Sequence, residues 1–331
     1  MLDNKDIKIL GEIINNARIP NNQLSKKINI SREIIDYHIK KLEKNKIILG
    51  YQARINLTQF SSMAYHMLIK LKNYNEKQEK KLIEELKELK YTHFIGKISG
   101  NYDLILGFTI KELNDLKNYL DSLYENHSEI IEKHELFTIL KEIKDNFAPI
   151  IDKNNNLDIT SMIEKTHNYN LDIIDKTIIK ELTKNAKINA VELSQKLNIT
   201  SAAIAYRIKQ LEKNNIILGY RTIIDLDKFD KQFYYVFFNI ENPNKYNNIK
   251  IKNELKSNTN IIFSSSLAGN YSYLCLFTAK DNHKFNEKLR NFQNKTNIIK
   301  NISTYTFLQF LHHNYIPNGF LDNKNSKDKK N

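Results

Sequence analysis

The chain has 331 residues, with 51 Lys and Arg against 38 Asp and Glu, a formal charge of +13 and an isoelectric point near 9.3. That balance favours an anionic partner such as nucleic acid, although a chain so rich in Lys, Asn and Ile carries some lysine as composition alone. A single cysteine excludes an internal disulfide and fits a reducing cytosol. No apolar run approaches the roughly 18 residues of a membrane span, and MLDNKDIKIL is no signal peptide, so the expectation is a cytoplasmic protein without a membrane partner.

The stretch EKNKIILGY at Glu43–Tyr51 returns as EKNNIILGY at Glu212–Tyr220. At that offset Leu2–Phe60 aligns with Leu171–Phe229 without a gap and with roughly half the pairs identical. Further on, GNYDLILGF (Gly100–Phe108) meets GNYSYLCLF (Gly269–Phe277). The chain is therefore two copies of one module, each divided near Phe60 or Phe229. The expected domains are 1–60, 61–150, a polar linker 151–169, 170–229, 230–320 and a frayed tail 321–331.

In chain order, Asp3 stands at an N-cap and Ile7, Leu10, Ile13 and Ile14 recur at helical spacing. Pro20 in copy one, and Asn189 with Glu192 in copy two, open a short second helix. Ser31 and Thr200 cap a third helix whose inward stripe is Ile35, Ile39 and Leu42, or Ile204, Ile208 and Leu211. The following runs IILGYQARINL and IILGYRTIIDL predict a hairpin wing, which completes a winged helix-turn-helix. Next come strand Ala64–Leu71, helix Asn75–Lys90 and strand Thr92–Ser99. A turn at Gly100-Asn101 then leads to strand Tyr102–Ile110, helix Glu112–Tyr124 and strand Ile130–Glu142. This βαββαβ order is ferredoxin-like, and copy two repeats it up to a last strand at Ile298–Leu311. The fold class is α+β, a tandem repeat of winged helix-turn-helix and ferredoxin-like domains. A sheet covered on one face needs a partner for the other, so sheet-to-sheet packing is expected.

With the apolar stripe inward, the outward face of the third helix is set. Copy one offers Ser31, Arg32, Glu33, Asp36, Tyr37, His38, Lys40 and Lys41 to double-stranded DNA. Copy two offers Thr200, Ser201, Ala202, Ala205, Tyr206, Arg207 and Lys209. Charge follows the same division: about +5 over 1–60 and about +3 over 170–229, against about −2 over 61–150. The last region, 230–331, is again basic at about +8.

LDNKDIKIL, NNARIPNNQLSKKINIS, HIKKLEKNKIILGY and SGNYDLIL resemble the leucine-responsive and asparagine-regulator (Lrp/AsnC) family of transcriptional regulators. The resemblance implies DNA binding, sheets packed as in a dimer, and a small effector such as an amino acid at Gly100, Asn101, Tyr102 and Asp103. It makes the chain an intrachain pseudo-dimer, open to further assembly into a homo-oligomer. Two departures stand out: the family's usual Arg is His38 in copy one but Arg207 in copy two, and the acid of Asp103 is Ser272 in copy two. A carboxylate can pair an ammonium with charge; a hydroxyl cannot.

Two alternatives belong to other classes: a metabolite-binding or assembly protein without DNA binding, and an enzyme. Fused modules of this kind also resemble the sirohaem decarboxylases, which carry a His, Tyr and Arg cluster. Here His93 lacks a neighbouring Arg, and His312-His313 is expected to fall beyond the last strand. Adjacent strand residues point to opposite faces, so this pair is not expected to hold a metal. Cys275 reads as a buried small hydrophobe. No cofactor and no catalytic residue are expected.

Overall fold

The computed structural model describes residues 2–60, 62–72, 75–89, 91–152 and 169–313. Most of the expected linker and the whole expected tail lie outside the described residues. Helices α1 (Asn4–Ile13), α2 (Asn21–Ile28) and α3 (Arg32–Lys44) are followed by strand β1 (Ile48–Ile55). Copy two repeats them as α6 (Ile173–Lys184), α7 (Ala190–Leu197), α8 (Ser201–Lys213) and β6 (Ile217–Ile224). The predicted caps form, and Asp172 adds one that the sequence reading did not name. Asp3 and Asp172 each form a capping box, as does Asn189, while the Ser31 and Thr200 hydroxyls accept from Ile34 and Ala203 N–H. Pro20 caps α2 without a side-chain bond.

The predicted wing needs a correction. Each copy supplies one strand rather than a hairpin, and β1 pairs antiparallel with β6 of the other copy, Tyr51 opposite Thr222 and Gln52 opposite Arg221. Gly50 interrupts the apolar run without reversing it, so the unpaired backbone groups find their partners across the molecule. Loops on both sides complete the exchange. Ala17 N–H donates to Tyr220 O (2.9 Å), and Ala186 N–H donates to Tyr51 O (2.8 Å). Arg18 reaches across to donate to Ala186 O and Ile188 O, both at 2.6 Å, with its guanidinium 4.6 Å from the Tyr220 ring centroid.

The ferredoxin-like halves comprise β2 (Met63–Leu71), α4 (Glu76–Glu88), β3 (Thr92–Ser99), β4 (Leu104–Ile110), α5 (Leu113–His127) and β5 (Ile131–Asp145), then β7 (Gln232–Ile240), α9 (Lys245–Ser257), β8 (Ile261–Ala268), β9 (Tyr273–Ala279), α10 (Asn282–Thr296) and β10 (Ile299–His313). Instead of two separate stacked sheets, the eight strands close into one barrel in the order β10-β3-β4-β2-β5-β8-β9-β7. Closure depends on the two 15-residue strands. β5 pairs with β2 of its own copy and, further along, with β8 of the other; β10 does the same with β7 and β3. His312 and His313 therefore belong to β10, opposite Ile95 and Phe94, and not to a segment beyond it.

Alternation along the strands sends Tyr65, Met67 and Ile69 toward α4 and α5, while Leu68, Phe94, Phe137, Phe237 and Phe307 fill the barrel interior. That interior is continuous with the core of the winged helices. Gly100 (φ 144°) and Gly269 (φ 151°) turn the hairpins tightly against the other copy, where a Cβ would come within 2.9 Å of Tyr305 or Phe137.

Arg18→Ala should lower unfolding stability by about 2–3 kcal/mol, because two carbonyls lose a charged donor. Urea titration should show a lower midpoint at constant slope. Arg18→Lys should recover little, since one ammonium cannot reproduce the forked geometry.

Candidate nucleic-acid interface

Helices α3 and α8 begin at capped N-termini and bury Ile35, Ile39 and Leu42, or Ile204, Ile208 and Leu211, against the core. Their other faces are open. Ser31, Arg32, Glu33, Asp36, Tyr37 and Lys40 are exposed in copy one, as are Thr200, Ser201, Ala202, Ala205, Tyr206 and Lys209 in copy two. The two tyrosines occupy equivalent positions and are 65% and 64% accessible, unusual for large rings with no protein surface to cover. Asp36 accepts a hydrogen bond from the Asn21 side chain, which links the recognition helix to α2.

His38, Lys41 and Arg207 are not on this open face. His38 is 6% accessible, with Nδ1 2.7 Å from Asp6 Oδ1. Lys41 Nζ lies 2.9 Å from both Asp3 Oδ2 and Asp6 Oδ2. In copy two the Arg207 guanidinium alone contacts Asp172 (2.7 Å) and Asp175 (2.8 Å). The expected phosphate contacts at these three positions are corrected accordingly. They fasten the recognition helix to the N-terminal capping box of α1 or α6. One guanidinium in copy two replaces an imidazole and an ammonium in copy one, where the counterpart of Lys41 is Gln210.

The carboxylates respond to this arrangement. Hydrogen bonds from the Asp6 backbone and from Lys41 hold Asp3 far below the usual carboxylate range. Burial acts to raise Asp6, but the His38 and Lys41 hydrogen bonds outweigh it and its pKa is lowered. Burial likewise opposes ionisation of Asp172, and the Asp175 backbone N–H with Arg207 outweighs it. The ligand atoms of Asp3, Asp6 and His38 lie within 4.8 Å of one another, yet the Lys41 ammonium already takes the place a cation would occupy.

The expected effector turn is also corrected. Asp103 is not an open carboxylate: Oδ2 accepts from Leu71 N–H (2.8 Å) and Oδ1 pairs with Lys70 (3.1 Å). At the equivalent place in copy two, Asn239 Oδ1 accepts from Ser272 N–H (2.9 Å) and Oγ (2.8 Å). Asp103 with Lys70 and Ser272 with Asn239 are thus two versions of one structural pair. Tyr102 donates to Glu135 (3.1 Å) and packs edge-on against Tyr305, while Gly100 abuts the same tyrosine, so the turn faces the other copy.

Sequence reasoning missed a further cluster at the barrel end beside the wings. His66 on β2 and His93 on β3 meet over Gly107, where a Cβ would sit 2.9 Å from His93 Cε1, and His66 lies opposite Gly107 in register. His313 approaches from β10 opposite Phe94, whereas its neighbour His312, opposite Ile95, turns to the other face beside Lys87 and Glu88 at the end of α4. Burial, and for His93 the neighbouring His66, holds these rings neutral, at about 4 for His66 and about 3 for His93. His313 is lowered to about 4 by burial and by Arg221. Asp145 joins Arg221 (2.6 Å) and Arg54 (3.7 Å), all three buried. The signal available in the sequence was the period-two pattern, which puts His66 inward beside Leu68; the meeting of four strands was not legible. Cys275 is buried as predicted, with its thiol pushed upward by burial. Among the described residues no helix is long and apolar enough to cross a membrane.

Two winged helix-turn-helix units mounted on one closed barrel of two ferredoxin-like halves define a class of protein built to present paired recognition helices. The family of winged helix-turn-helix DNA-binding domains matches twice, at residues 2–48 and 171–217. The HTH-type transcriptional regulator LrpB of Bacillus subtilis is 31% identical over 125 residues, which span 36% of this chain and 82% of LrpB. The uncharacterized HTH-type transcriptional regulator PH0045 of Pyrococcus horikoshii is 28% identical over 147 residues, 44% of this chain and 93% of PH0045. The chain belongs to the Lrp/AsnC family, and each such relative corresponds to about half of it. Among solved structures, the sirohaem decarboxylase NirDL shares the fold along 96% of both chains with a TM-score of 0.64, at 9% identity.

Arg207→Ala should destabilise the second winged helix without altering the salt dependence of DNA binding. The depressed Asp172 carboxyl contributes stability above its unfolded value, about 4, which is lost as pH falls through the folded value. Without Arg207 that contribution shrinks, so acid unfolding followed by circular dichroism should begin at higher pH. A salt slope lowered by about one would instead make Arg207 a phosphate contact.

Proposed function

We propose that the protein binds double-stranded DNA through α3 and α8 and regulates transcription as its Lrp/AsnC relatives are named to do. The observation that carries this reading is the pair of outward helix faces, Arg32 to Lys40 and Ser201 to Lys209, held in one unit by the β1–β6 ribbon and the Arg18 clamp. A helix N-terminus can reach base edges in the major groove while later lysines meet phosphates. The two faces differ. Arg32 suits guanine acceptors, and Glu33 and Asp36 suit the cytosine amino group, whereas Ser201, Ala202 and Ala205 offer little beyond contact with a thymine methyl. Tyr37 and Tyr206 stand at the same place on both helices and present their rings to the groove wall.

The operator should therefore be an imperfect palindrome with unlike half-sites, about 34–36 Å apart. After selection of bound fragments from the host genome, a wrong base in the copy-one half-site should cost roughly 1–3 kcal/mol in anisotropy titrations, and less in the other half. Arg32→Ala should relax specificity, while Lys209→Ala should weaken all sequences alike and reduce the salt slope by about one. Equal losses at both half-sites would overturn the asymmetric assignment, and no retardation at low salt would overturn DNA binding itself.

A second reading, a sirohaem-decarboxylase-like activity, is favoured by one observation: the cluster of His66, His93 and His313 on a chain with the NirDL fold. Anaerobic incubation with sirohaem decides it, since an unchanged absorption spectrum and no carbon dioxide release would remove the reading.

A further inference from the structure

The outer helical layers of the two ferredoxin-like halves carry opposite charge. Helices α4 and α5 have eight Asp and Glu against five Lys, whereas α9 and α10 have two Glu against eight Lys and Arg. The helices correspond without a gap, 76–88 with 245–257 and 113–127 with 282–296, so the change can be followed position by position. Glu76, Asp115 and Asp121 become Lys245, Lys284 and Arg290. Glu79, Glu84, Glu88 and Glu125 become Asn248, Asn253, Ser257 and Asn294, and Glu85 alone keeps its carboxylate, as Glu254. A lysine-rich composition acts on both copies and would not remove seven of eight acids from one of them. Packing gives no reason either, because Glu76, Glu84, Glu88, Asp121, Glu125 and their counterparts all face solvent.

The two layers also differ in how their charges are answered. In copy one, Glu76 pairs with Lys80 (2.8 Å), Glu84 with Lys87 (2.7 Å) and Asp121 with Lys117, so much of the layer is neutralised within itself. In copy two, Glu287 answers Lys284 (2.8 Å) and Glu254 answers Lys295. Lys245, Lys250, Lys252 and Arg290 have no carboxylate partner among the described residues. Exposed Asn253, Asn291 and Asn294 lie on the same two helices and add N–H donors, and Tyr246, 74% accessible where copy one has Lys77, adds a hydroxyl. Such side chains contact phosphate and sugar oxygens without reading bases. The layer adjoins the winged end of the barrel. Lys144 Nζ donates to the carbonyls of Lys256 (3.0 Å) and Asn258 (2.9 Å) at the C-terminus of α9, and the next residue, Asp145, pairs with Arg221 of β6 (2.6 Å). Strand order sets β3-β4-β2 and β8-β9-β7 on opposite sides of the barrel, and the acidic and basic layers with them. The acidic layer of a second chain is a poorer match for this surplus, since it already pairs its acids with its own lysines.

We propose that the α9–α10 layer is a second, sequence-independent contact for the phosphate backbone of double-stranded DNA, present in copy two alone. One flank of a duplex held by α3 and α8 runs onto this layer, and the flank on the acidic side stays free. The inference rests on the DNA-binding reading of α3 and α8 and extends it to a surface outside the winged helices.

The test uses the full chain and duplexes cut from a fragment selected from the host genome. One is a core of about 22 base pairs spanning both half-sites, and the others extend it by about 15 base pairs, roughly 50 Å, on either flank. Anisotropy titrations of the wild type should show about fivefold tighter binding for one extended duplex, with a steeper salt dependence, and no gain for the other. The variant K245E/K284D/R290D, which installs the copy-one residues at exposed positions, should bind the core as the wild type does. It should lose the flank gain, with a salt slope lower by about two to three on the extended duplex. Tight core binding with no gain on either flank would overturn the proposal and leave the DNA-binding reading standing. A gain that survives in the variant, or equal gains on both flanks, would overturn it as well. A variant that keeps the flank gain but sediments as a smaller species would overturn it in favour of docking between copies of the chain. Failure of every duplex to bind would overturn both readings.

Discussion

The molecule depends on two strands that each pair with both copies. β5 and β10 are long enough to pair with their own copy over one half and with the other copy over the rest. Without the second half of each strand, the edges β3 and β8 would present unpaired backbone groups, and the inner faces with Phe137, Phe237 and Phe307 would meet water. Because both copies are on one polypeptide, these pairings form intramolecularly and at a fixed ratio. The wings follow the same logic, since among the described residues β1 and β6 pair only with each other.

Placing both copies on one chain also removes a constraint. In a homodimer every substitution appears twice, and a residue on the two-fold axis must tolerate itself. Here equivalent positions can differ, and they do so in matched groups. His38 with Lys41 in copy one stands where Arg207 with Gln210 stands in copy two. Lys70 with Asp103 stands where Asn239 with Ser272 stands. In each case the hydrogen-bonding duty is kept: the first group carries its positive charge on another side chain, and the second replaces an ion pair by two neutral groups. Elsewhere the chemistry itself differs, as at His66, His93 and His313 against Tyr235, Ile262 and Asp145.

The outward faces of α3 and α8 belong with this second kind of difference. Their inward stripes are nearly the same, because both must pack on equivalent cores. Their exposed residues diverge from Arg32, Glu33 and Asp36 to Ser201, Ala202 and Ala205, where no packing restrains them. Tyr37 and Tyr206, like Lys40 and Lys209, are exceptions, kept in both copies although exposed.

Much was legible in the sequence by itself. The repeat, the caps at Asp3, Ser31, Asn189 and Thr200, the helical and period-two stripes and the βαββαβ order all follow from local chemistry, since each depends on residues a few positions apart. The outward recognition faces were legible for the same reason, because a helix with a known inward stripe has a known outward one. What only the tertiary structure decided are features made by residues far apart in the chain. The wing strand pairs across 169 residues, as Gln52 does with Arg221. The inward turn of His38 and Arg207 depended on where α1 and α6 place their aspartates. The company of Asp103 depended on which side chain β2 sets beside it. The meeting of His66, His93 and His313 required barrel closure, and strand periodicity carries no information about which strands become neighbours.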